Sequence, residues 1–112
     1  MILSLTTLAL AGALDGRTFT ATVTDPQRKA DADTLVFASD TFASTLCEPY
    51  GFHAAAYTVA ADGTVTVDQT SATEGKAHWV LTVTGDALEG SMDWVKAGQA
   101  PIHYVVSGTR KK

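Results

Sequence analysis

The chain has 112 residues, a formal net charge of −4 at neutral pH and a pI near 5.1. That length holds one domain, which buries roughly 65% of the surface its unfolded chain exposes and needs no metal or disulfide staple for a core. The acidic balance argues against nucleic acid as the main partner, because phosphate recognition needs a basic stripe and the basic clusters here are Arg28-Lys29 and the terminal Arg110-Lys111-Lys112.

Cys47 is the single cysteine, which rules out an intrachain disulfide and a zinc site of several thiolates. The sequence has no Asn, so it offers no N-glycosylation acceptor.

Residues 1–13 hold an uncharged apolar run from Ile2 that ends in Ala11-Gly12-Ala13, the small-x-small form of a signal-peptidase site. The run falls short of the ~20 apolar residues a membrane span requires. The expectation is an export-signal remnant over 1–13 and a single domain over 14–112, placed in a periplasm or outside the cell.

Leu14-Asp15-Gly16 reads as a turn. Phe19, Ala21 and Val23 then alternate with threonines through Thr24, a half-buried strand. Asp25 to Asp33 lacks periodic apolar residues and reads as a solvated polar loop. Thr34–Ala38 and Thr41–Cys47 are expected as short strands around Ser39-Asp40, with Leu35, Phe37, Phe42 and Leu46 inward. Glu48 to His53 is a loop, since Pro49 and Gly51 break pairing. Ala55–Ala61 and Thr64–Thr70 flank Asp62-Gly63, the strongest hairpin signal, expected as a type I′ turn.

From Gly75 to Thr109 three period-two runs form an antiparallel meander. Trp79, Leu81, Val83, Leu88, Met92, Trp94, Ile102, Tyr104 and Val106 share one face, and His78, Asp93 and His103 lie on the other. A one-residue slip would put both tryptophans in water, so the register is strongly fixed. As a core residue Trp94 should cost about 3–5 kcal/mol on truncation to Ala. About eight strands and no amphipathic helix predict an all-β antiparallel up-and-down barrel or strongly coiled sheet, with a two-sheet sandwich as runner-up.

The segments Leu14-Asp-Gly-Arg-Thr-Phe19, Cys47-Glu-Pro-Tyr-Gly-Phe52, Glu89-Gly-Ser-Met-Asp-Trp94 and Gly98-Gln-Ala-Pro-Ile102 together resemble small secreted bacterial proteins of lipocalin-like, calycin-type barrel form. That group is largely of unknown function. The resemblance covers nearly all of the chain after Ala13 and implies a barrel shape rather than a chemistry. Where lipocalins proper carry Gly-x-Trp near the first strand, this chain has Gly16-Arg17-Thr18 leading to Phe19.

Three constellations are candidates for function. The aromatics Phe37, Phe42, Tyr57, Trp79, Trp94 and Tyr104 are the candidate lining for a small apolar ligand, although strands this short favour a barrel filled by its own side chains. Folding the meander places His78, Asp93 and His103 in one outer row, a candidate divalent-metal set or a polar surface. Cys47 and His53 share a loop, the pattern of a thiolate–imidazole pair, yet Glu48 beside Cys47 would raise the thiol pKa. No phosphate loop, nucleophile elbow or metalloprotease motif is present. The leading expectation is a non-catalytic binding protein without an intrinsic cofactor, taking a small apolar ligand or a protein partner. The alternatives are a self-assembling envelope-associated protein and a small enzyme using the barrel mouth.

Overall fold

The computed structural model describes residues 12–112, so the expected leader, up to residue 11, lies outside the described residues. Eight strands follow in chain order: β1 (Thr18–Thr24), β2 (Ala30–Ala38), β3 (Thr41–Ser44), β4 (Ala55–Val59), β5 (Thr64–Ser71), β6 (Gly75–Thr84), β7 (Ala87–Val95) and β8 (Ile102–Arg110). Each pairs antiparallel with its successor, and β8 returns to β1 to close an up-and-down barrel. Closure leaves no free sheet edge, which suits a chain so rich in exposed threonine and valine.

Alternation sets the two faces. Along β1, Phe19, Ala21 and Val23 are buried between outward threonines, and along β6 the buried positions are Ala77, Trp79 and Leu81. Register in the meander pairs Trp79 with Met92 and Trp94 with Ile102, so both indoles face the interior. Phe37 is the hub of the core. Its ring meets Phe19, Phe42 and Tyr57 at centroid distances of 5.9, 5.3 and 5.0 Å, and Phe42 meets Trp79 at 4.9 Å. These edge-on and tilted contacts fill the middle of the barrel with aromatic rings. Gly90 and Gly108 stand at inward positions where the wall folds most tightly. A Cβ on Gly90 would strike the Val80 carbonyl, and one on Gly108 would come within 2.8 Å of the Thr20 carbonyl.

Two local expectations are corrected. The run from Asp25 to Asp33 is not all loop: β2 begins at Ala30, and Asp31 and Asp33 pair with Val23 and Ala21. Inward alternation continues through two carboxylates there, so hydrophobic periodicity is blind to it. The type I′ turn also lies elsewhere. Ser39 and Asp40, with φ of 53° and 64°, join β2 to β3 in that form, whereas at Asp62-Gly63 only the glycine has positive φ, at 91°. Gly63 closes a three-residue loop by donating its N–H to the Ala60 carbonyl.

The two ends of the barrel differ. At one end, tight turns after β2, β4 and β6 meet the N-terminal turn, where buried Leu14 donates its N–H to the Tyr57 hydroxyl at 2.9 Å. Tyr57 donates in turn to Asp15, whose carboxylate accepts the Asp40 N–H. That end is sealed. At the other end lie the connections 25–29, 45–54, 72–74 and 96–101, of which 45–54 is the longest.

Candidate functional site

The connection from β3 to β4 shapes the open end. After Ser44 the chain leaves β3, turns through a single 3₁₀ turn at Glu48–Tyr50, and rejoins the sheet with only Thr41–Ala56 and Phe42–Ala55 paired. Gly51 ends the turn at φ 89°, and a Cβ there would press on the Ser71 hydroxyl at 2.7 Å. Glycine is required by conformation and by space alike.

The buried polar residues among those described are Asp33, Ser44, Gln69 and Ser71, and all four anchor this connection. Asp33 accepts from the Ser44 hydroxyl at 2.6 Å, the Thr45 hydroxyl at 3.2 Å and the Leu46 N–H at 3.0 Å. Ser44 accepts the Cys47 N–H. Gln69 donates to the His53 carbonyl at 2.9 Å while accepting the Trp79 indole N–H at 2.8 Å, tying the loop to the aromatic core. Ser71 donates to the Tyr50 carbonyl at 2.7 Å. Buried polar groups cost stability unless paired, and no buried side-chain N or O is left unpaired among the described residues. The polar interior thus serves to hold one irregular segment in one shape.

Between that segment and the meander lies a half-open cavity of about 230 Å³. Trp94 and Tyr104 form one wall, Leu46, Cys47 and Phe52 the other, and Met92 the floor. Met92 pairs with Trp79 across the strands, so the cavity stops where the packed core begins. Trp94 is only partly buried, and its indole N–H donates to the Glu74 carbonyl at 2.6 Å. At the rim stand Asp31, Glu74 and Tyr50, the last 59% exposed. The Glu74 carboxylate meets Lys96 Nζ at 2.9 Å.

Burial pushes the Cys47 thiol up from its ordinary value. The Ser44 hydroxyl partly offsets this, and the Asp33 charge adds to it. A thiol so held is protonated and slow at neutral pH. His53 does not approach it; its Nδ1 lies 2.5 Å from Glu48 instead. The Tyr104 phenol is likewise pushed up, first by burial and then by the charges of Asp25, Cys47 and Asp31.

Of the six aromatics named from the sequence, Trp94 and Tyr104 line this cavity, while Phe37, Phe42, Tyr57 and Trp79 belong to the packed core. Leu46 and Met92, both expected to point inward, complete the lining with Phe52 from the loop, though none of the three is among the candidate ligand-binding aromatics. The signal for Phe52 is a loop carrying Pro49, Gly51 and two aromatics at one end of a barrel.

His78, Asp93 and His103 do fall in one outer row, extended by Asp68 on β5. The imidazoles pair with separate carboxylates, His78 with Asp68 at 2.6 Å and His103 with Asp93 at 2.7 Å. Among the described residues no three His, Cys, Asp or Glu side chains gather closely enough to hold a metal ion. Among the same residues no helix is long and apolar enough to cross a membrane.

No protein-family model, no curated protein and no solved structure matches the chain. The closed eight-stranded antiparallel barrel is consistent with a lipocalin-like fold.

Proposed function

We propose that this is an exported, lipocalin-like, non-catalytic binding protein that takes one small apolar ligand at the open end of a filled barrel. The carrying observation is the anchoring of the 45–54 connection, by all four buried polar residues described, around a concave apolar cavity. A segment rigid before binding lowers the ordering cost of association. The volume of about 230 Å³ sits below the usual ~300–1,000 Å³ range of ligand sites. It exceeds the ~150 Å³ that suffices for benzene in an engineered apolar cavity, so a single ring with a short chain is the fitting size. Export is supported by the uncharged apolar run ending in Ala11-Gly12-Ala13.

Titration with 2-phenylethanol tests the binding reading. The Trp94 indole N–H and Met92 methyl resonances should shift saturably, and alkylation of Cys47 should slow as the cavity fills. Linear, unsaturable shifts with unchanged Cys47 reactivity would contradict it.

A further inference from the structure

The chemical class of the ligand is written on the rim, granted the reading above that the cavity is a binding site. Two carboxylates, Asp31 and Glu74, border the cavity, and among the described residues no cationic side chain lines it. Lys96 already offsets Glu74, which leaves Asp31 as the charge a ligand would meet. Asp31 holds the outermost inward position of β2, opposite Val23, and both residues border the cavity. The electron-rich faces at this end belong to Trp94, Tyr104 and Tyr50. Aromatic faces and carboxylates attract the same kind of group, a positive charge, and the overall charge of −4 draws cations toward the protein at longer range.

We infer that the preferred ligand is a small primary amine with an apolar body, its ring or chain set between Trp94 and Phe52 and its ammonium at the rim beside Asp31. A carboxylate of the same shape meets repulsion from the same groups and is rejected.

Three ligands of one shape separate this inference from the reading beneath it: 2-phenylethylamine, 2-phenylethanol and 3-phenylpropanoate, each titrated against the Trp94 indole and Met92 methyl resonances. The amine should bind about tenfold tighter than the alcohol, a partly exposed ion pair and a cation–π contact together supplying that ratio. The carboxylate should bind more weakly than the alcohol. Asp31→Asn, at an exposed position, should remove most of the amine's advantage over the alcohol, the ratio of the two affinities being the readout. Equal or tighter binding of the alcohol, or an amine preference that survives Asp31→Asn, overturns the amine class and leaves the cavity standing as a binding site. Absence of saturable shifts with all three ligands overturns both.

Discussion

Trp79 and Trp94 sit on the same face of adjacent strands, yet their energetic roles differ. Trp79 is fully enclosed, packed at a tilt against Phe42 and hydrogen-bonded to Gln69, whereas Trp94 is half-buried at the cavity wall. The full core penalty that alternation alone assigned to Trp94 therefore belongs to Trp79. Trp79→Ala should cost about 3–5 kcal/mol in urea unfolding, and Trp94→Ala about 1–2 kcal/mol, in keeping with its smaller buried area. Equal losses would mean that the cavity beside Trp94 does not exist. Tyr57 offers a titration at the same scale. Burial first, and then the Asp15 hydrogen bond, push its phenol from an ordinary value near 10 up to about 12. Because the folded value is the higher one, the contribution is complete below pH 10 and is lost as pH rises from 10 to 12. The loss should approach ~2 kcal/mol in unfolding experiments across that window, and Tyr57→Phe should flatten the decline. A decline of the same depth in Tyr57→Phe would place its cause elsewhere.

Among the elements, the 45–54 connection is where structure and proposed function meet. Asp33 holds its start through three hydrogen bonds. Asp33→Ala would leave the Ser44 hydroxyl and the Leu46 N–H without that acceptor, at a cost of about 2–4 kcal/mol. The local signature should be faster amide exchange through 45–54 and faster alkylation of Cys47, with the meander still protected. Unchanged exchange in that segment would show that the clamp is unimportant. Asp33 also marks the limit of what the sequence reveals. The meander was legible down to its register, because Trp79, Leu81, Met92 and Trp94 permit one pairing and a slip would expose them. The first half of β2 was not legible, because its inward positions are Asp31 and Asp33 and a carboxylate reads as solvent-facing until its donors are known. The cavity divides along the same line. Trp94 and Tyr104 come from periodic strands and could be named in advance. Phe52 comes from irregular backbone, where spacing carries no information about direction. Leu46 and Cys47, expected at the end of a strand, leave the sheet after Ser44, yet Leu46 still faces the cavity as alternation predicts.

At the scale of the whole molecule, the interior divides into a sealed aromatic centre and one open mouth. Leu14, held to Tyr57, closes the far end, and the rings of Phe19, Phe37, Phe42 and Trp79 occupy the middle. A lipocalin-like outline invites the thought of a ligand in the barrel's centre, but the side chains have taken that space and left about 230 Å³ above Met92. The most direct test is a crystal structure of the protein equilibrated with bromobenzene, its ligand located by the anomalous signal of bromine. One bromine peak is expected between Trp94, Met92 and Phe52, with the core rings unmoved. A peak among Phe37, Phe42 and Trp79, or none at the mouth, would contradict the division of the barrel into a filled core and a binding mouth.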